Sequence, residues 1–238
     1  MDNPRSNESE AWLLAIDSSS EQAGLALFDG VKVLEQSWPA GRNQTVGLLA
    51  EIDHLLTLAG ITVKDLTCLA VATGPGTFNG LRVAMGLAKG LVLALDLPIL
   101  GIPTLDAAAL PFRATGRSTV AVLAAGRTRV VWSIYQPADK GEAWSEQTPP
   151  QNGTITDLCH RLSALTVPYL LTGELSIDQE VQVANLTKIH LLPRALRTRR
   201  PAAFAQLAWD RYQRGESDDP VTLEPVYLHA TSQQGSVE

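Results

Sequence analysis

Three short apolar runs open the folded part of the chain: WLLAID (12–17), GLALFD (24–29) and VKVLEQSW (31–38), each the length of a strand. Asp29-Gly30 between the second and third marks a tight hairpin. From Thr45 the period changes. Val46, Leu49, Ile52, Leu56 and Ala59 recur at helical spacing, Leu48 and Leu55 widen the stripe, and Gly60 closes the helix. A strand, LTCLAVAT, follows, then the loop GPGTFNGLR (74–82), a helix to about Asp96, the short strand PILGI and a third helix, TLDAAALPF.

Three antiparallel-type strands followed by alternating helix and strand is the order of a ribonuclease-H-like α/β domain, whose mixed sheet carries helices on both faces. In the second half, TVAVLAA and RVVWSIYQ pair around Gly126-Arg127. ITDLCHRLSAL reads as a helix, PYLLTGE as a strand, and PAAFAQLAWDRYQRG as a helix with Pro201 in its first turn. The expected division is a ribonuclease-H-like domain over 11–117 and a second, smaller α/β lobe over 118–229. Residues 1–10 and 230–238 are expected to be flexible tails.

Composition narrows the function classes. A formal net charge of -6 over 238 residues argues against a general attraction to nucleic acid. Cys68 and Cys159 form no metal-type spacing. The polar start MDNPRSNESE lacks a secretory pattern, and Leu81 to Leu97 is interrupted by Arg82, Lys89 and Asp96, which is expected to be too short and too charged to span a bilayer. A cytoplasmic protein without membrane contact is the expectation.

The glycine loop poses the main chemical question. A phosphate-binding P-loop needs a lysine after its last glycine, but Leu81 follows Gly80 and the next lysine is Lys89. The dinucleotide fingerprint fails too, because the spacing is Gly74-x-Gly76-x-x-x-Gly80 and Asp96 falls before the next strand. Gly74 and Gly76 around Pro75 suit a sharp strand-to-helix turn, and Thr77 suits an N-cap. Asp17, Gly74, Gly76, Thr77 and Gly80 therefore form either a ligand-free turn or an anion site at the helix start.

The helix after the loop carries a second signal. Gly86, Gly90 and Ala94 recur every four residues, giving a flank almost without side chains, while Leu81, Met85, Ala88, Val92 and Leu95 cover another face. Each helical glycine costs about 1 kcal/mol relative to alanine, so the flank implies close approach by another backbone. A helix apolar nearly all round is covered on both sides, and a sheet covers only one, leaving the other for a partner subunit or for an internal helix neighbour.

LLAIDSSSEQAGLALFDG, VATGPGTFNGLRVAMGLAKGL, PILGIPTLDAAA and EPVYLH resemble the TsaB (YeaZ) family of the actin/Hsp70/sugar-kinase superfamily. The resemblance covers residues 12 to about 112 well and returns in patches up to 229. It implies a noncatalytic subunit of the bacterial machinery that makes threonylcarbamoyladenosine beside the tRNA anticodon. Such a subunit pairs with a TsaD-like transferase, reaches a TsaE-like ATPase through the complex and touches tRNA only indirectly. When alone it forms homodimers, and it needs no cofactor or metal. The resemblance places the interface on the first two helices, here about 45–59 and 78–95. Its expected residues are Val46, Leu49, Asp53, Leu56, Arg82, Met85, Gly86, Lys89, Gly90, Leu93 and Ala94.

TsaD-like relatives hold metal with two histidines four residues apart, a pattern absent among His54, His160, His190 and His229, and neither a Gly-x-Ser-x-Gly elbow nor a nucleophilic cysteine motif occurs. Asp17 sits where superfamily kinases place an aspartate beside phosphate and magnesium, but Ser18-Ser19-Ser20 follows without a glycine, which favours a turn-stabilising role. Two departures from the family pattern stand out. Gln44 replaces a histidine near the start of the first helix, and Ala124-Ala125-Gly126-Arg127-Thr128-Arg129 replaces a segment with acids. The cluster Arg194, Arg197, Arg199 and Arg200 reads either as a tRNA phosphate contact or, by expectation, as a solvated connection. Trp132 and Tyr135 are expected to pack in a sheet. The rival to a scaffold is a stand-alone peptidase-type or ATP-dependent enzyme.

Overall fold

The computed structural model describes residues 11–40, 44–126, 128–137, 145–146 and 148–227, with the side chains of 44–46 and 145–146 outside that set. Both expected tails, His229 and Arg127 fall outside the described residues. The first sheet has the order β3-β2-β1-β4-β5, formed by β1 (Trp12–Asp17), β2 (Gln22–Phe28), β3 (Val33–Pro39), β4 (Leu66–Gly74) and β5 (Ile99–Pro103). β1 pairs antiparallel with β2 and parallel with β4, the mixed pattern of a ribonuclease-H-like domain. β1 and β4 read as unbroken apolar runs because both of their faces are buried. The hairpin turn sits at Gly30 (φ +90°), where Asp29 Oδ1 accepts from the Val31 and Lys32 N–H groups at 2.8 and 2.6 Å.

Helices α1 (Gln44–Ala59) and α2 (Phe78–Leu95) cover one face of this sheet, packing Leu48, Ile52, Leu55, Met85, Ala88 and Val92 onto Leu14, Ile16, Leu25 and Leu27. The other face, lined by Leu13, Ala15 and Ala26, is covered by α7 (Pro201–Gln213) through Phe204, Ala205 and Ala208, with α3 (Thr104–Arg113) beside it. Alternation along β1 sends neighbouring residues to opposite layers.

The second sheet has the order β11-β10-β6-β7-β8, with β9 on β7; its strands are β6 (Thr119–Ala125), β7 (Arg129–Gln136), β8 (Ser145–Glu146), β9 (Gln151–Thr154), β10 (Tyr169–Gly173) and β11 (Ile189–Leu191). α4 (Ile155–Ser163) and α5 (Ile177–Ala184) bury Leu158, Leu162 and Val183 on one face. α3 closes the opposite face with Leu105, Ala108 and Ala109, so that one helix serves both sheets. The boundary at 117/118 separates the two sheets but not the packing, since α7 comes from the second half and covers the first sheet. The four-residue α6 (Arg194–Arg197) precedes it. β1, β6 and β7 have the limits read from sequence; α5, α6, β8, β9 and β11 were not foreseen.

Candidate functional site

The glycine loop is built against its own chain. Gly74 has φ +108°, turning the end of β4 toward α2. A Cβ on Gly76 would lie 2.5 Å from Ser19 O, and one on Gly80 would lie 1.8 Å from Ser18 O. The Thr77 N–H donates to Ser19 O at 2.6 Å, Ser18 Oγ donates to Gly80 O at 2.7 Å, and Thr77 Oγ1 accepts from the Gly80 N–H at 3.3 Å. The glycines therefore admit the backbone of Ser18 and Ser19 where a P-loop admits phosphate.

Asp17 is likewise spent internally. Its Oδ1 accepts from the Ser19 N–H at 2.9 Å and Ser19 Oγ at 2.5 Å, the Asx-type turn expected of it. Its Oδ2 accepts from Arg199 Nε at 3.0 Å, with both side chains only 5% exposed. Arg199 Nη1 donates to Glu174 Oε1 at 2.6 Å and Nη2 to Ser20 Oγ at 2.9 Å. Burial works against the Arg199 charge, but Asp17 and Glu174 outweigh it and hold the guanidinium above its ordinary pKa. Arg194 and Arg197 both reach Glu180, and Arg200 pairs with Glu35. Hydrogen bonds from Arg194 first, then Arg197, keep the Glu180 carboxyl below its usual range. The expectation of a solvated connection is corrected: Arg197 and Arg199 are buried and ion-paired, and Arg199 and Arg200 tie this segment to Asp17 and Glu35 of the first sheet, while Arg194 and Arg200 are exposed.

The helical flank is the opposite case. A Cβ on Gly86 or Gly90 would meet nothing within 4 Å. Arg82, Gly86, Gly90, Leu93 and Ala94 are exposed and Lys89 is half-buried. Leu93 is 72% exposed and, on α1, Leu49 is 57% and Leu58 60% exposed. Asp53 is exposed beside Leu49. Leu56 and Met85 do not share this surface. They are buried in the core beneath it, because the inward stripe of α1 runs through Leu48, Ile52, Leu55 and Leu56 and leaves Leu49 outside. The Val46 side chain falls outside the described residues. By length and composition alone α2 would qualify as a membrane span, with a mean hydropathy of 1.4 over 18 residues, but Leu81, Ala84, Ala88 and Val92 are packed in the core.

Two features, one on this surface and one buried away from it, carried no reading in the sequence. Phe78 is 53% exposed, stacks 5.3 Å from Tyr227 and lies under the Arg82 guanidinium at 4.6 Å. Its signal was available, because 78, 82, 86, 90 and 94 form one line at four-residue spacing. The Arg199–Asp17 pair had no local signal, since 182 residues separate its members.

Neither cysteine is held as a thiolate. Burial pushes the Cys68 thiol up to about 12 and raises that of Cys159 as well. Among the described residues no three His, Cys, Asp or Glu side chains gather to hold a metal ion. Trp132 and Tyr135 are buried in the second sheet, and Tyr135 donates to Asp106 Oδ1 at 2.7 Å. A cleft of about 680 Å³ lies between β3, α3 and α6, and its carboxylate, Glu35, is engaged by Arg200 and by the Ala202 N–H. In the altered loop, Arg129 binds Asn152 through Nε at 2.8 Å.

The family model described as TsaD, tRNA N6-adenosine threonylcarbamoyltransferase, matches residues 39–213. The chain is 37% identical to the tRNA threonylcarbamoyladenosine biosynthesis protein TsaB of Haemophilus influenzae, over 91% of this chain and 92% of that one. The Escherichia coli protein of the same name is 33% identical, with 57% of this chain aligned to 60% of that relative's length. Among solved structures, YeaZ from Pseudomonas aeruginosa superposes with a TM-score of 0.68 at 26% identity, covering 92% of this chain and all of the other. With a relative 37% identical over 91% of this chain and 92% of its own length, and a YeaZ structure superposing over 92% of the chain, the protein belongs to the TsaB (YeaZ) family.

Proposed function

We propose that this protein is a noncatalytic scaffold of tRNA threonylcarbamoyladenosine formation, docking a TsaD-like transferase on the α1/α2 face. The transferase acts on the adenosine beside the anticodon, a TsaE-like ATPase joins through the complex, and without its partner the same face pairs two copies of this chain. The observation that carries this reading is the solvent-exposed flank of Gly86, Gly90 and Ala94, with Leu93 exposed on the same helix and Leu49 exposed on α1. Exposed helical backbone without side chains, and exposed leucines beside it in the same helix pair, gain most when a second helix dehydrates them at close range. The inward use of Asp17, Gly76 and Gly80 weighs against the ATP-dependent rival, and the raised thiols weigh against a cysteine nucleophile.

Reconstitution tests the proposal. The transferase and ATPase subunits, tRNA and threonylcarbamoyl-adenylate are combined with and without this chain. Modification that depends on the chain, and is lost with Gly90→Leu, is the expected result. Modification at equal rate without it would end the scaffold reading.

A further inference from the structure

Between the interlobe seam and the open flank lies an unbroken set of short contacts. Glu174, just after β10 of the second sheet, holds Arg199 at 2.6 Å, and Arg199 holds Asp17 at 3.0 Å and Ser20 at 2.9 Å. Asp17 fixes the Ser19 N–H and hydroxyl. Ser19 O receives the Thr77 N–H at 2.6 Å, and Ser18 Oγ reaches Gly80 O at 2.7 Å. Because Gly76 and Gly80 touch Ser18 and Ser19 without room for even a methyl group, the first turn of α2 cannot shift unless that tripeptide shifts. From that turn runs the exposed line Phe78, Arg82, Gly86, Gly90, Ala94. We propose that Arg199 is a positioning residue for the docking face: it sets Ser18–Ser20 as the seat of α2 and ties that seat to the second lobe, so that its loss weakens docking at a surface it does not touch.

This inference rests on the docking role proposed for α2, and its test separates the two. Arg199→Ala leaves Asp17 buried without its partner and can fail to fold. The double variant Asp17→Asn/Arg199→Met removes both charges and keeps the volume. Leu158→Ala, which opens a cavity in the second-lobe core, serves as a control for lowered stability. Amide exchange at Thr77, Gly80 and Leu81 is followed in the free chain, and the affinity for the TsaD-like subunit is measured by calorimetry. In the double variant those amides are expected to exchange about tenfold faster, and docking to weaken by about fivefold or more. In Leu158→Ala both should stay near wild type. Wild-type protection of the three amides in a folded double variant overturns the proposal. So does wild-type affinity in the double variant when Gly90→Leu has lost binding. If Gly90→Leu itself binds normally, the docking role of α2 fails, while the exchange result still decides whether Arg199 seats the helix.

Discussion

The two faces of the first sheet use glycine in opposite ways. On the α7 side, a Cβ on Gly24 would lie 2.4 Å from Pro201 Cγ, and one on Gly30 would lie 2.6 Å from the Trp209 ring. There the missing side chain is what lets a helix of the same chain come close. On the α2 side, Gly86 and Gly90 face nothing, although they sit inside a helix where glycine is a poor choice. Within the chain, the first pair is explained by its contacts and the second pair only weakens the fold. Similar residues within one domain thus distinguish a finished surface from an unfinished one.

The strongest way to break the finished side is at the seam that joins it to the second lobe. Arg199→Ala should cost about 3–5 kcal/mol, because Asp17 remains buried and charged without its partner. Urea denaturation at neutral pH measures it, and a loss below about 1 kcal/mol would mean that water enters the joint. Gly24→Leu should follow at about 1–3 kcal/mol, by forcing Pro201 and the start of α7 off the sheet. A fully stable Gly24→Leu would show that α7 tolerates displacement.

On the unfinished side the sign reverses. Gly86→Ala and Gly90→Ala should each stabilise the isolated chain by about 1 kcal/mol, since a methyl group meets no neighbour and alanine is the better helix former. The same changes should weaken transferase docking, read as earlier dissociation in a titration. Stabilisation without any loss of docking would leave the flank without a purpose at the interface.

The sequence made the first sheet legible because its strands are apolar runs punctuated by Gly30, Gly60 and the loop at Gly74. It also made the flank legible, since a four-residue repeat of small side chains depends only on local spacing. α5 was harder to see because only Gln179 and Val183 of its eight residues are buried. Its start was nevertheless marked: Ser176 and Gln179 form a reciprocal capping box. The seam was out of reach. Each arginine of PRALRTRRP is locally indistinguishable from a solvated one, and only the fold brings Asp17, Glu35, Glu174 and Glu180 to meet them.

The edge of that seam supplies the smallest effect and a check on its electrostatic character. Glu180 is bound by exposed Arg194 and buried Arg197, and hydrogen bonding to Arg194 and then Arg197 lowers its pKa in the folded chain. A lowered carboxyl contributes stability that is fully present above its unfolded value and is lost as pH falls through the folded value. Glu180→Gln should therefore cost about 0.5–1 kcal/mol at neutral pH, the range of a partly exposed pair, and progressively less as acid protonates the wild-type group. Melting curves of the two proteins are expected to separate at pH 7 and to converge below the ordinary carboxylate range. Because α5 and α6 are exposed to solvent on this side, added salt should narrow the gap as well. A difference that persisted unchanged into acid would assign the contribution of Glu180 to its shape and hydrogen-bonding capacity, and would leave the charge-dependent part of the seam to Arg199 with Asp17 and Glu174 and to Arg200 with Glu35.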